Sequence, residues 1–305
     1  MTQTVTLASD DLTATISSFG ARLQKLHYQG GPNLVLHSDD PAWIDSYAGA
    51  LVGPIANRVH RGQVTIAGKR HQMPCNEAGI NGLHSGPDGL DRQVWEVVEQ
   101  DAQSVHLRCA LSDSAGGLPG DRSFDVTYSL AGATLRLEIS ATTDTATPIS
   151  IAHHPYWCLG SARDHRIRIN ADTYLPVNTQ NIPTGNIVPV AATSFDHRQA
   201  RALDPATDHN FCLANAPRPA PAPAATLYGT EGLTLDIETT EPGLQVYAGA
   251  YLPTLPETEI APFAGIALEP QGWPDAVNQT QFPSIIATAD NPYLQITLYH
   301  LGRGT

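Results

Sequence analysis

Apolar and polar residues alternate in short stretches along most of this chain. The alternation is clear in residues 126–130, and it returns in 135–139, 233–237 and 294–298. A period of two residues places successive side chains on opposite faces of a β-strand, so each stretch predicts a half-buried strand. Turn-forming residues, with 25 Gly and 24 Pro, separate these stretches, and sustained helical spacing is scarce. The pattern therefore predicts an all-β protein.

The predicted strands have one polar side, which suits antiparallel pairing with one face in water. A chain of 305 residues would bury the apolar faces by stacking sheets into a large sandwich. A parallel α/β fold would need a helical segment between successive strands, and no such segments are visible. The proline-rich stretch 217–225 is interpreted as an exposed loop, because strand-like sequence resumes at Leu233. We predict a single domain spanning residues 1–305.

Composition and charge narrow the class of ligand. Hydrophobic residues make up 41% of the chain and charged residues 15%, which predicts a soluble globule with a substantial core. The formal charge of −13 argues against binding nucleic acid or an anionic membrane, since both require clustered Lys and Arg. Neutral small molecules are the better expectation.

Location and assembly are constrained only weakly by the sequence. The N-terminal residues form neither a basic region nor a long apolar stretch, so a cytoplasmic location is the default expectation. No apolar run approaches the roughly 18 residues that a membrane helix needs. The four cysteines are widely separated and are interpreted as reduced thiols. Monomer and homodimer both remain open.

Several common kinds of catalytic site lack their motifs. There is no paired His-Glu-x-x-His zinc motif, no P-loop, no Gly-x-Ser-x-Gly nucleophile turn and no dinucleotide-binding glycine turn. A metal enzyme built on His84, His154 and Glu269 is chemically conceivable, but the spacing of these residues gives it no support. Phosphoryl transfer, serine hydrolysis and hydride transfer are therefore disfavoured.

Three residues are candidates for acid–base or polyol chemistry. His154 ends a predicted strand, where a neutral histidine bonded to the backbone is the usual explanation. Glu269 follows a short apolar run, so it is either a solvated strand end or a partly desolvated base. Asp208 either caps a turn or accepts hydrogen bonds from sugar hydroxyls. The residue types alone leave these alternatives open.

Six segments, in this order along the chain, resemble the aldose 1-epimerase family, also called galactose mutarotases. The segments are Gly53–Arg58, Gly82–Gly86, Gly117–Gly120, His154–Tyr156, Asp208–Phe211 and Leu268–Asn278. No single segment would suffice, but the shared order across most of the chain carries the resemblance. It implies a large antiparallel β-sandwich of the galactose mutarotase type, with the sugar in an open cleft.

The resemblance also implies roles for individual residues. Glu269 corresponds to the general base and His154 to the general acid, and the family reaction needs no metal or organic cofactor. The residues that match the family's sugar-binding groups are Arg58, His84 and Asp208, with Asn57 and Gln245 as weaker candidates. The implied activity is interconversion of the α and β anomers of a free aldose, with galactose, glucose and arabinose all open.

This assignment carries two further expectations. Glu269 should start ionised and His154 protonated, as reference pKa values of about 4.3 and 6.5 suggest near neutrality. An aromatic ring, from Trp157 or Trp273, is expected to pack against the sugar. The chain departs from common family patterns at His153, at Trp157–Cys158 and at Ser85, so preference for one aldose does not carry over.

Two other functions compete with mutarotation. A non-catalytic sugar sensor would use the same cleft to report carbohydrate to a protein partner, although Glu269 and His154 argue for catalysis. A polysaccharide hydrolase or lyase would use Asp208 and Glu269 as a carboxylate pair. Product analysis on oligosaccharides separates this last activity from anomer exchange.

Overall fold

The computed structural model describes residues 1–256 and 258–304. Within these ranges the chain forms 25 β-strands, and helical structure is confined to short 3-10 turns. Each pair of neighbouring strands in this part of the chain runs antiparallel. The predicted all-β, antiparallel class is therefore confirmed, while the single domain over residues 1–305 stays a prediction.

The larger sheet has eight strands. In spatial order they are β16 (Arg166–Ile169), β20 (Ala222–Tyr228), β21 (Leu233–Thr239), β25 (Tyr293–Arg303), β12 (Thr134–Thr143), β11 (Arg122–Ala131), β10 (Ser104–Leu111) and β9 (Glu96–Gln100). Burial alternates residue by residue along β11 and β12, as the period of two predicts. The proline-rich stretch is a loop only up to Pro221, because β20 begins at Ala222.

The smaller sheet has six strands and carries three of the seven candidate residues, Asp208, Gln245 and Glu269. In spatial order they are β15 (Tyr156–Trp157), β23 (Ile266–Gln271), β22 (Gly243–Tyr247), β19 (Asp208–Cys212), β17 (Thr173–Tyr174) and β18 (Val188–Pro189). One hydrophobic cluster contains inward residues of both sheets, such as Leu137 and Tyr299 from the larger and Leu244 and Leu268 from the smaller. The two sheets are therefore stacked around a common core, as in a sandwich.

The remaining strands form small sheets around the sandwich. They are β1 (Thr4–Ala8), β2 (Leu12–Ser17), β3 (Arg22–Tyr28), β4 (Leu51–Val52), β5 (Arg58–Val59), β6 (Gln63–Ile66), β7 (Lys69–Gln72), β8 (Gly82–Leu83), β13 (Thr147–Pro148), β14 (Ala152–His153) and β24 (Ile286–Ala287). The 3-10 turns are Pro41–Ser46, His60–Gly62, Gly86–Asp88, Leu90–Arg92, Ala115–Gly117, Ala162–Asp164, Thr230–Gly232 and Ala276–Asn278. In the described residues, no helix has the length and apolar character needed to cross a membrane.

The last strand, β25, buries the face opposite to the one its sequence pattern predicted. Leu294, Ile296 and Leu298 mark the alternation, yet Leu294 is 53% exposed and the other two are only half-buried. Gln295 and Thr297 are fully buried instead. The strand was predicted correctly, but the face that it turns to the core was not. The buried side chains at this point are polar, and Gln295 bonds to Pro270 of the smaller sheet.

Candidate functional site

Alternation along β22 and β23 places Glu269 and Gln245 on one face of the smaller sheet. Glu269 pairs directly with Gln245 across the two strands. Residues that are directly opposite in an antiparallel pair share a face, and their chain neighbours point the other way. The neighbours Leu244 and Leu268 belong to the sandwich core. The opposite face of the sheet therefore carries the polar groups.

His154 reaches the same face from the connection between β14 and β15. Its backbone N–H donates to the carbonyl of Ala50 at 2.9 Å, which holds this connection against the segment that contains Ala50. His153 points the other way, into the core, where Nδ1 lies 3.1 Å from the hydroxyl of Tyr299. The two adjacent histidines therefore face opposite sides, as alternation along an extended segment requires.

Arg58 is held between two carboxylates. Its Nε donates to both oxygens of Glu77, at 2.9 and 3.0 Å, and its Nη1 donates to Oδ2 of Asp208 at 3.3 Å. Asp208 also accepts from Nε2 of Gln245 at 2.6 Å. This chain of contacts fixes the guanidinium and the Asp208 carboxylate relative to each other, with side chains only partly exposed.

Asn57 and His84 are joined through the backbone. The N–H of Asn57 donates to Nδ1 of His84 at 3.1 Å, so the neutral imidazole carries its hydrogen on Nε2. Both residues have positive φ, 64° and 50°, a conformation that costs free energy for residues other than glycine. Asn57 caps its own turn, since its Oδ1 accepts from the N–H of Arg58 at 2.7 Å.

These segments enclose an open cleft of about 230 Å³. Six of the seven predicted site residues line it: Asn57, Arg58, His84, His154, Asp208 and Glu269. Gln245, the seventh, does not line this cavity but holds Asp208 from below. The fold thus brings together residues from all parts of the chain. The predicted residues are therefore grouped in space.

Burial changes the ionisation expected for the central pair. Glu269 and His154 are only 2% and 4% exposed. Desolvation lowers the pKa of His154 to about 4, and it raises the pKa of Glu269 well above the ordinary value for a glutamate. The reference values used for the sequence are therefore wrong here. Without a ligand, burial favours neutral His154 and protonated Glu269.

The two groups lie close together, slightly beyond hydrogen-bond length. Nε2 of His154 lies 3.6 Å from Oε2 of Glu269. Moving one proton from Glu269 to His154 converts the neutral pair into the ion pair that the sequence predicted, with no change in total protons. Nδ1 of His154 and Oε2 of Glu269 are both buried and lack a hydrogen-bond partner among the described residues. Buried polar atoms without a partner in the protein are available to form hydrogen bonds with a ligand.

Tyrosines line the cleft where the sequence predicted tryptophans. Tyr47, Tyr156, Tyr247 and Tyr251 all face it, and the ring of Tyr47 packs on His84 with centroids 4.6 Å apart. The tryptophan expectation is wrong, because Trp157 and Trp273 are 0% and 2% exposed in the interior. Tyr156 follows His154 by two positions, and Tyr247 follows Gln245 by two positions. Because residues two apart on a strand share a face, this spacing was a signal in the sequence for both tyrosines.

Glu77 was also missed, and it carried no signal. It lies in a turn-rich stretch just before Gly82–Gly86 but outside every recognised segment, and only the fold brings it to Arg58. Ser85, one of the departures from the family pattern, has a structural explanation. It has φ of 65°, where glycine is favoured, and its hydroxyl accepts from the N–H of Ile55 at 2.9 Å. This contact ties the turn that carries His84 to the segment before Asn57.

The fold assembles a potential metal-ligating set that the spacing did not support. His84, His154 and Glu269 each present one ligand atom, and these atoms lie within 4.8 Å of one another. Two imidazoles and a carboxylate suit zinc, which binds such ligands at about 2.0–2.2 Å. Burial lowers the pKa of both histidines, which keeps their nitrogens free of a second proton. The same three groups are also suited to proton transfer.

The chain is similar to known proteins over most of its length. The family model described as Aldose 1-epimerase matches residues 3–300. Galactose mutarotase of Rattus norvegicus is 34% identical over 317 residues, covering 96% of this chain and 92% of the relative. Aldose 1-epimerase of Escherichia coli K12 is 31% identical over 258 residues, covering 78% of this chain and 74% of the relative.

Solved structures of similar proteins share the architecture. An aldose epimerase homologue from C. elegans superposes with a TM-score of 0.92 at 28% identity, and the match covers all of both chains. Galactose 1-epimerase from Lactobacillus acidophilus NCFM superposes with a TM-score of 0.87 at 27% identity, covering 100% of this chain and 99% of the other. The sandwich of galactose mutarotase type, predicted from the sequence, is confirmed.

Proposed function

This chain belongs to the aldose 1-epimerase family, and we propose that it interconverts the α and β anomers of a free aldose in the cleft that holds Glu269 and His154. The protein is an isomerase of the mutarotase class, and its substrate is a sugar. The observation that carries the proposal is the contact between these two side chains. An acid and a base lie side by side, both buried, and each has an atom without a hydrogen-bond partner in the described part of the chain.

In the proposed mechanism, Glu269 removes the proton from the anomeric hydroxyl while His154 donates one to the ring oxygen. The bond between the anomeric carbon and the ring oxygen then breaks, which leaves an open-chain aldehyde. Rotation about the bond between the first and second carbons presents the other carbonyl face. Reversed proton transfers close the ring as the opposite anomer, and both residues recover their starting protons.

The surroundings of Glu269 act in both directions on its pKa. Burial raises this pKa most, the nearby Asp208 carboxylate raises it further, and Arg58 lowers it. A bound sugar would add hydroxyl donors around the carboxylate and replace part of the water that burial has removed. We therefore assign the proton transfer from Glu269 to His154 to the sugar complex and not to the empty site.

The remaining cleft residues are proposed to bind and orient the sugar. Arg58 and His84 would donate hydrogen bonds to sugar oxygens and stabilise negative charge as the ring opens. Asp208 would accept hydrogen bonds from sugar hydroxyls. Gln245 would support Asp208, and Asn57 would support His84. Tyrosine rings around the cleft supply flat apolar surface suited to the carbon faces of a pyranose. Galactose, glucose and arabinose are all candidate substrates.

The direct test is anomer exchange followed by NMR in freshly dissolved galactose, glucose and arabinose. The wild-type protein should accelerate exchange above the spontaneous rate for at least one sugar, and Glu269→Gln at equal concentration should not. The ratio of rates among the three sugars ranks the substrates. Absence of acceleration with every aldose would contradict the proposal and leave the sugar sensor as the alternative.

A hydrolase or lyase built on Asp208 and Glu269 has less support from the geometry. The Asp208 carboxylate is already engaged by Arg58 and Gln245, through both of its oxygens. A general acid in a hydrolase must instead present a free proton to the glycosidic oxygen. Incubation with oligosaccharides, followed by product analysis, distinguishes the two activities.

A further inference from the structure

A cluster of buried polar side chains lies behind the sheet face that carries Glu269. Thr239, Glu241, Gln295 and Thr297 are each no more than 3% exposed. None of them is among the described residues that line the cleft. Polar groups in a core cost free energy unless they are hydrogen-bonded, so their bonds define what the cluster does.

The hydroxyl of Tyr293 is at the centre of this cluster. It lies 2.9 Å from Oε1 of Gln295 and 3.1 Å from Oε1 of Glu241. A tyrosine hydroxyl has one proton, so it can donate to only one of these two oxygens. When Tyr293 donates to Gln295, the contact with Glu241 requires a proton on the Glu241 carboxyl. The cluster is then a directed line from Glu241 to Tyr293 to Gln295.

This line ends on the strand that carries Glu269. Nε2 of Gln295 donates to the carbonyl of Pro270 at 3.0 Å, and Pro270 is the next residue after Glu269. At the other side, the Tyr293 hydroxyl lies 3.4 Å from both the N–H and the carbonyl of Ile151, three residues before His154. The same two side chains therefore contact both segments of the proton-transfer pair.

We propose that Tyr293 and Gln295 are positioning residues for this reaction, and that the line from Glu241 to the Pro270 carbonyl holds Glu269 at the correct distance from His154. The inference rests on the function proposed above. Neither residue touches the sugar. A general base must be aligned with the proton that it removes, and a displacement of about 1 Å can cost a hundredfold in rate.

The ionisation of Glu241 supports the direction of the line. Burial raises the pKa of Glu241 to about 8, so the carboxyl keeps its proton at neutral pH. The charged or titratable side chains that line the adjoining cavity with Glu241 are Arg218 and Tyr293, within the described residues. Arg218 donates to the carbonyl of Leu213 at 2.6 Å. Above about pH 8, ionised Glu241 accepts from Tyr293, which leaves Oε1 of Gln295 without its donor.

The test compares Tyr293→Phe with wild type by anomer-exchange kinetics and thermal unfolding. We expect kcat to fall roughly tenfold or more, with KM within about twofold, because the sugar-binding groups are untouched. Tyr128→Phe is the matched control, since it also removes a buried tyrosine hydroxyl, one that donates to the carbonyl of Ala21. Its Tm should fall as well, while its kcat stays at the wild-type value.

Glu241→Gln separates the need for a donor from the need for a carboxyl. Its amide N–H donates to Tyr293 at every pH, so kcat at pH 7 should stay within about twofold of wild type. The wild type should lose kcat above about pH 8, and Glu241→Gln should lack the part of this loss that Glu241 causes. An unchanged alkaline limb in Glu241→Gln would contradict the assigned direction of the line.

Two results would overturn the positioning role. One is a kcat for Tyr293→Phe within twofold of wild type. The other is an equal fall in kcat for Tyr293→Phe and Tyr128→Phe, which would indicate general destabilisation. If wild type exchanges anomers and Glu269→Gln does not, these results reject the positioning role alone. If wild type does not exchange anomers, the proposed function and this inference both fail.

Discussion

Nε2 of His154 lies 3.6 Å from Oε2 of Glu269, slightly beyond hydrogen-bond length, in a site where both side chains are almost completely buried. His154 closely precedes β15, and β15 pairs with β23, which carries Glu269. Strand pairing therefore sets the distance between acid and base. In the proposed mechanism, one proton on this pair is sufficient for both steps of ring opening.

Replacing the proposed acid should abolish most activity without unfolding the protein. His154→Asn removes the proton donor to the ring oxygen, and a positioned proton-transfer group typically contributes ~10²–10⁴-fold to the rate. We expect exchange to fall by about this factor, with sugar binding retained by calorimetry. His106→Asn is a control, since His106 pairs with Asp125 on the larger sheet. Near-normal turnover in His154→Asn would remove it from the mechanism.

The pH dependence of kcat should follow the proton content of the pair. Below about pH 4, His154 takes up a proton while Glu269 keeps its own, so the pair carries two protons. Glu269 is then not able to act as a base. At alkaline pH, ionisation of the last proton removes the acid, and the raised pKa of Glu269 places this limb well above its ordinary range. We expect a bell with a broad neutral plateau. An acid limb near the reference value of about 6.5 would contradict desolvation of His154.

Loss of the Asp208 carboxylate should affect binding more than chemistry. Asp208→Ala removes the acceptor for sugar hydroxyls and frees Arg58 and Gln245 from their shared partner. A hydrogen bond to a charged group contributes about 1.5–3 kcal/mol, so KM should rise roughly tenfold or more, with a smaller change in kcat. Asp125→Ala, which removes a carboxylate paired with Arg108, should leave KM unchanged. A larger effect on kcat than on KM would assign Asp208 to the chemical step.

Burial of Glu241 should make the protein less stable as pH rises. The pKa of Glu241 is raised from 4.5 to about 8, so its neutral form is favoured in the fold. The contribution of neutral Glu241 to the free energy of unfolding is complete below the pKa of the unfolded chain. It decreases as the pH rises towards the pKa of Glu241 in the folded protein. Glu241→Gln should therefore gain up to ~4 kcal/mol over wild type at pH 8 relative to pH 5. Calorimetric Tm values for both proteins at both pH values test this, and an equal difference at both would contradict it.

Removal of metal ions should leave anomer exchange unchanged. His84, His154 and Glu269 converge closely enough to ligate a metal, but the proposed mechanism needs only their protons and hydrogen bonds. Exchange rates measured before and after dialysis against a chelator should agree within error. Loss of activity that zinc or manganese restores would contradict acid–base chemistry by the side chains alone and would favour a metal enzyme.

Some features of the site were predicted from the sequence because they are local. The six recognised segments contain Arg58, His84 and Glu269, which line one cleft in the structure. Strand alternation, a local property, also explains why His153 and His154 face opposite sides. It did not predict Glu77, because a single carboxylate in a turn gives no indication of which distant arginine it will meet.

Other expectations failed where the environment of a residue decides its behaviour. Trp157 and Trp273 are adjacent to site segments in sequence, yet the fold directs both rings into the interior. The apolar positions Leu294, Ile296 and Leu298 of β25 suggested the wrong inner face, because the buried positions opposite them include Gln295, which bonds to Pro270 across the sandwich. The reference pKa values failed because they apply to groups in water.

The sequence by itself determined the all-β class, the period of the strands, the family and the set of residues that can move protons and bind hydroxyls. These follow from side-chain chemistry and from the period of two residues, which are properties of neighbours along the chain. Only the tertiary structure decided which groups meet and how they ionise. The distance from His154 to Glu269, the salt bridge from Glu77 to Arg58 and the buried line through Tyr293 all depend on strand pairing and desolvation. Both depend on contacts between residues far apart in sequence, so no local pattern contains them.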